Sequence, residues 1–204
     1  MRPLDRRKIP IFMGFSCKRC RGGKMVGGLK DEQFRAEVEA GGAAADTVRA
    51  APADAAALTL RQATPQDVPT LMALRRATML EHLRSAGAPD DEASLLARVE
   101  YRLEDAQLAY LGDELIGLFK THPTADAWML VQVQIAPARQ GQGWGGALIR
   151  RLLERAAAEH RSVVLHVLKT NPARRLYERL GFVIEGEKEC GREYVMRWSG
   201  AQRE

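Results

Sequence analysis

The run Gln140-Gly141-Gln142-Gly143-Trp144-Gly145-Gly146 places four glycines within six positions, and no other stretch constrains the fold of this chain as much. On its N-terminal side, Trp128 to Ile135 alternates as a strand does, with Val131, Val133 and Ile135 on one face and Gln132 and Gln134 on the other. On its C-terminal side, Leu148, Ile149, Leu152, Leu153 and Ala156 recur at a helical period. A strand that turns through glycines into a helix brings main-chain N–H groups together with no Cβ in the way. The helix N-terminus behind them adds the positive end of its dipole. Such a turn suits an anion, above all a pyrophosphate; the plainer reading is a turn that serves only compact packing.

Gly141, Gly143 and Gly146 also satisfy GxGxxG, which raises a dinucleotide-binding site of the Rossmann kind. That fold needs an acidic residue about 20 positions on, at the end of the next strand, to hold a ribose hydroxyl. Here the next strand ends His166-Val167-Leu168-Lys169, without a carboxylate. The glycines also follow the fourth strand of the domain rather than the first. The Rossmann reading fails on both counts.

The rest of the chain sets the frame. Residues 1–57 show no sustained period; they are glycine-punctuated and alanine-rich, with a helix conceivable only over Asp31 to Ala40. They read as a basic arm outside the fold. Residues 1–30 hold nine Lys and Arg against the single Asp5, so the chain's net +5 comes from the arm and says little about the domain surface. From Leu58 the pattern predicts β α α β β β α β α β β. The elements are Leu58 to Gln62, a helix opened by Asp67-Val68-Pro69, a second helix over Glu92 to Leu103, and a hairpin from Ala109 to Lys120 turning at Gly112-Asp113. The glycine-flanked strand and helix follow, then an apolar strand from Val163 to Leu168, a short helix from Pro172 to Leu180, and a closing hairpin from Phe182 to Trp198. This is an α/β domain over residues 58–200 with a mixed sheet.

Several classes of function are disfavoured. Cys17, Cys20 and Cys190 are too few for a disulfide framework, and the lone CxxC has no second pair to complete a zinc site. No apolar run reaches the ~20 residues that cross a bilayer. The short stretch after Arg6-Arg7 is broken by Pro10 and makes a poor signal peptide, so the cytoplasm is the expected location.

Two blocks together resemble a known family. Pro137-x-x-Gln140-Gly141-x-Gly143-x-Gly145-x-x-Leu148 is similar to the pyrophosphate-binding motif of the GNAT superfamily of N-acetyltransferases. Asn171-Pro172-Ala173-Arg174-Arg175-Leu176-Tyr177-Glu178-Arg179-Leu180-Gly181-Phe182 resembles its N-x-A-x-x-L-Y-x-x-L-G-F signature, and Gln140 and Asn171 stand 31 residues apart. The likeness spans Leu58 to Trp198. It implies a GNAT-like mixed sheet with splayed central strands flanked by helices, and acetyl-coenzyme A as co-substrate. Cofactor contacts would come from the main chain of Val133, Gln134 and Ile135 and from Gln140, Gly141, Gln142, Gly143, Trp144, Gly145, Gly146 and Asn171. Asn171 before Pro172 is also a sound helix start.

The resemblance assigns Tyr177 the role of proton donor to the departing thiolate; a packed aromatic is the alternative. Many relatives carry a carboxylate on the long strand as general base, and Met129 to Gln134 offers none. Glu81, His82, Glu185, Glu187 and Glu189 are candidates, as is a water chain, while His166 reads as a core histidine. The expected activity is acetyl transfer to a primary amine, on a small molecule or a peptide, with no membrane partner, no nucleic acid at the domain, and a homodimer left open. The alternating Glu185, Glu187 and Glu189 point weakly to a cationic acceptor. The rival reading is a non-catalytic acyl-coenzyme A sensor or interaction module. Nucleic-acid binding by the arm is a third.

Overall fold

The computed structural model describes residues 57–200. The basic arm, with Cys17, Cys20 and the helix considered over Asp31 to Ala40, lies outside the described residues. The strands are β1 (Leu58–Gln62), β2 (Ala106–Leu111), β3 (Glu114–Pro123), β4 (Ala127–Ile135), β5 (Ser162–Leu168), β6 (Val183–Glu187) and β7 (Glu193–Trp198). The helices are α1 (Val68–Ser85), α2 (Glu92–Glu100), α3 (Trp144–Ala158) and α4 (Arg174–Arg179), in the predicted order. Boundaries have local causes. Pro69 sits in the first turn of α1, and the Asp91 side chain accepts the Ser94 amide at 2.9 Å to start α2. Arg102, at φ 51°, turns the chain away after α2.

The seven strands form one sheet in the order β1-β2-β3-β4-β5-β7-β6, antiparallel throughout except for β4 beside β5. That parallel pair determines where a ligand can enter. It runs from Ala127↔Ser162 to Leu130↔Leu165 and stops, although β4 continues to Ile135 and β5 to Leu168. At the point of parting, Lys120 of β3 faces Gln132 while Thr121 faces Leu130, so Val131 is an extra, bulged residue on β4. A bulge bends its strand and sharpens the local twist, which is how β4 leaves its neighbour. Beyond it, one edge of β4 has no strand partner among the described residues. This is the mixed, splayed sheet that the motifs imply.

Each face of the sheet carries its own core. Leu148, Ile149, Leu152, Leu153 and Ala156 of α3 pack on Phe119, Trp128, Leu130, Val163, Leu165 and Val167, joined by Tyr177 and Phe182. On the other face, Leu71, Met72, Leu74 and Leu83 of α1 and Leu95 and Val99 of α2 cover Leu108, Leu118 and Leu168. Fully burying one such aliphatic side chain is worth about 1.5–3 kcal/mol, so both layers anchor the sheet on which the splay is built.

The glutamines of β4 depart from the usual pattern of polar-out alternation. Gln132 and Gln134 are 7% and 5% exposed, whereas Val131, Val133 and Ile135 are half-buried. Residues directly opposite in an antiparallel pair share a face. Gln134 is paired with Leu118 and Gln132 with Lys120, so both glutamines lie under α1 and α2. The aliphatic face of the splayed segment is left only partly covered.

Candidate active site

The glycine run forms the loop that joins β4 to α3. Gly141 and Gly143 sit at φ +71° and +91°, the left-handed region that side chains avoid, and Gly143 caps α3. Ala147 donates to the Gly143 carbonyl at 3.0 Å, the first amide of the helix to find a main-chain acceptor here. Among the described residues, the amides of Gln142 to Gly146 reach no protein acceptor. A cluster of unspent N–H groups at the start of a 15-residue helix fits a diphosphate in charge and direction.

Side chains in this loop brace it. Gln140 Nε2 donates to the Ile135 carbonyl at 2.8 Å, and Gln142 Nε2 to the Ala138 carbonyl at 3.1 Å. Trp144 is buried, and its ring N–H donates to Gln142 Oε1 at 3.2 Å. These side chains thus brace the loop from within, and Gly141 and Gln142 at its tip are exposed.

The loop opens beside the unpaired edge of β4. Gly145 lies against Ile135 and Leu176, so the end of β4, the first turn of α3 and the helix α4 converge. Asn171 Oδ1 accepts the Ala173 amide at 2.9 Å and fixes the turn into α4. Tyr177, on α4, is 8% exposed and meets Phe182 edge to face, with ring centroids 5.9 Å apart. Among the described residues its hydroxyl has no hydrogen-bond partner. Burial pushes its pKa up to about 12, so the phenol stays protonated. A cavity of about 610 Å³ lies between α1 and the turn before the loop, lined by Arg76, Thr78, Glu81, His82, Pro137 and Gln140 among others. Two of the candidate bases, Glu81 and His82, are therefore beside the loop.

The other candidates are placed differently. Glu185 accepts from Arg197 Nε at 2.6 Å, and Glu187 pairs with Lys169 Nζ at 2.6 Å. The glutamate row is thus largely committed to basic partners instead of forming an open cationic mouth. His166 is exposed rather than in the core, a correction with a simple cause. On β5 the residues alternate, Val163, Leu165 and Val167 face α3, and His166 turns to the opposite side, where the helices do not fully cover it. Desolvation, Lys188 and Arg98 all hold its pKa below the ordinary value, with Lys188 Nζ 3.5 Å from Nδ1. It is the first β5 side chain past the last β4–β5 pair on that face.

Sequence reasoning missed a group of buried cations on the same side. Arg75 of α1 and Lys120 of β3 are 5% and 0% exposed, and Arg98 of α2 donates to the carbonyl of the bulged Val131 at 3.3 Å. Lys120 Nζ donates to the Val99 and Tyr101 carbonyls at 2.9 and 2.7 Å, capping the end of α2. A signal existed: Arg75 falls in the apolar stripe Val68, Leu71, Met72 and Met79 of α1.

Among the described residues there is no helix long and apolar enough to cross a membrane and no cluster of metal-ligating side chains. Residues 103–184 match the family model described as Acetyltransferase (GNAT) domain. Over these residues the chain is similar to GNAT acetyltransferase domains. Its sequence is 38% identical over 94 residues to spermidine N(1)-acetyltransferase of Vibrio cholerae, a stretch covering 44% of this chain and 52% of that protein. The chain thus spans about half the length of that relative. The fold is similar to that of PaiA N-acetyltransferase from Thermoplasma acidophilum in complex with coenzyme A, at 18% identity and TM-score 0.56, covering 70% of this chain and 98% of that one. An acetyltransferase from Thermus thermophilus matches at 24% identity and TM-score 0.54, over 69% and 96% of the two chains.

Proposed function

We propose that this chain is an acetyl-coenzyme A-dependent N-acetyltransferase that acts on a primary amine by direct attack, in the cytoplasm. One observation carries the reading. Among the described residues the amides of Gln142 to Gly146 reach no protein acceptor, and they stand where the splayed end of β4 and the helix α4, which carries the buried Tyr177, close on Gly145. The relatives and the coenzyme A complex of a protein with this fold support it.

Each part of the site has its own task. The loop amides and the dipole of α3 hold the diphosphate. Main-chain groups of Val133 to Ile135 bind the pantetheine arm as a further strand would, supplying the pairing that the splay denies them. Asn171 anchors the turn beside the thioester end. The amine nitrogen bonds to the acetyl carbon as the carbon–sulfur bond breaks, and Tyr177 donates a hydrogen bond to the departing sulfur. The proton lost by the amine passes along a water chain to bulk solvent.

Calorimetry with coenzyme A, together with thiol release across a broad amine panel, tests this reading. Expected are coenzyme A binding, its loss in Gly143→Val, and turnover on at least one amine. A valine at φ +91° would deform the loop, and its side chain would crowd the diphosphate. Tight coenzyme A binding with no turnover on any amine would favour the sensor reading, which the absence of a β4 carboxylate supports.

A further inference from the structure

Given the acyl-transfer reading, on which this rests, we infer that the acceptor amine also carries a carboxylate, received by Arg75 and Arg98 at the head of the splay.

Several buried polar atoms in this region have nothing to bind. Among the described residues, the buried side-chain atoms without a hydrogen-bond partner are Arg75 Nε, Gln132 Nε2 and Oε1, and Gln134 Oε1. Buried polar groups are almost always satisfied, because an orphan loses its water without gaining a partner, and the loss is greater when the group is charged. All four orphans belong to three residues on one side of one sheet, under α1 and α2. Lys120, paired with Gln132 in register, is in the same place.

The charges are as unusual as the orphans. Arg75 and Arg98 lie within electrostatic reach of each other and of Lys120, and burial together with Arg98 pushes the Arg75 pKa down to about 10. Arg75 makes no ion pair among the described residues. The opposing charges stand further off or are occupied. Glu193 on β7 acts on Arg98 without an ion-pair contact, and Glu104 and Asp105 act on Lys120. Asp105 already binds Arg102 at 2.5 Å and His122 at 3.0 Å. His166 on β5 is held neutral. Water could satisfy the glutamines, but it would leave the buried Arg75 guanidinium without a counter-charge, beside a half-buried Arg98 whose contacts are the Val131 carbonyl and the Tyr101 ring. An anion answers both needs, and a carboxylate matches the planar guanidinium fork.

Position turns this anion site into a substrate site. Arg98 is bonded to the carbonyl of Val131, the bulged residue where β4 leaves β5. It is therefore at the end of the splay, on the face opposite α3, while the diphosphate loop belongs to the α3 side. An acceptor whose carboxylate is held there sits on the α1–α2 side of the splay, across the sheet from the loop. Arg75 and Arg98 both lie outside the residues that match the family model, in the part of the chain where acceptor preference is free to differ.

The test uses the full chain and matched acceptors: amino acids, their carboxamides, and the amines lacking the carboxyl group, compared at equal free-amine concentration, with spermidine as a polycationic comparator. The expected result is a kcat/KM preference for carboxylate over carboxamide of about 10- to 100-fold, the worth of a charged hydrogen bond. Arg98→Met and Arg75→Met should each lower that ratio toward unity, and Arg98→Lys should keep part of it. The ratio is read within each variant, so a general loss of stability does not mimic the effect. Should Arg75→Met fail to fold, the wild-type ratio and the Arg98 pair still decide. Equal or better turnover of carboxamides or spermidine by the wild type would overturn the inference and leave the acetyltransferase reading standing. Absence of turnover on every amine would bring down both.

Discussion

Tyr177 has two properties that pull its chemistry in one direction. Its ring is packed against Phe182, and its hydroxyl is without a partner among the described residues, so burial raises the pKa to about 12. A thiol has an ordinary pKa of about 8.5, so complete proton transfer from this phenol to a free thiolate would be uphill. The hydroxyl therefore acts as a donor that steadies charge growing on sulfur while remaining protonated itself. An interaction made only as the bond breaks changes turnover and not binding. Tyr177→Phe should lower kcat by about 10- to 100-fold with coenzyme A affinity unchanged, read from thiol release and calorimetry on the same preparation. Unchanged kcat would remove Tyr177 from the mechanism. No alkaline limb belonging to this group is expected in the usual assay range, because the phenol is still protonated there.

At the scale of elements, the end of α2 is fastened to β3 by one side chain. Lys120 caps the Val99 and Tyr101 carbonyls from a fully buried position, and burial, then Arg98 and Arg75, push its pKa down to about 7. In the unfolded chain the same amine has a pKa near 10.4. Between these values the unfolded chain binds more protons, so this group's contribution to stability rises with pH from about 7 upward. Unfolding free energies from denaturant titrations at pH 6 and pH 9 should differ by about 1–3 kcal/mol more in the wild type than in Lys120→Met. A variant with the same pH dependence as the wild type would show that Lys120 is charged throughout.

The sequence made the order of these elements readable because each has a strong period: alternation in β4, a helical stripe in α3, an apolar run in β5. The splay was legible only through the family motifs and not through periodicity, since the parting of β4 from β5 depends on one bulged residue whose register only a partner strand defines. Burial of charge was hidden for a similar reason. Lys120 follows Leu118 by two positions and Arg75 lies in a helical stripe, but composition treats both as surface. The exposure of His166 was misjudged because a central strand was expected to be covered on both faces. α4 is shorter than its apolar pattern suggested, as Asn171 and Pro172 are spent on a turn that Asn171 Oδ1 closes.

For the molecule as a whole, the question is whether the catalytic unit needs the basic arm. The described residues contain two cores, a seven-stranded sheet and the loop, β4 edge and tyrosine of the candidate site, and Arg151 Nη1 bonds the Leu58 carbonyl at 3.0 Å where β1 begins. The charge is divided in the same way: residues 1–30 hold nine basic side chains and one acidic, whereas residues 31–204 hold 22 basic and 25 acidic. A chain shortened to residues 57–204 should therefore keep its melting temperature, its coenzyme A affinity and its kcat. Any affinity for nucleic acid should belong to the full chain alone and fall steeply with salt, since released counterions drive such binding. Differential scanning calorimetry, coenzyme A titration and a DNA-binding series at rising ionic strength would be run on both chains. Loss of coenzyme A binding on shortening would make the arm part of the enzyme. Salt-sensitive DNA binding that survives shortening would place a nucleic-acid surface on a domain whose charge argues against one.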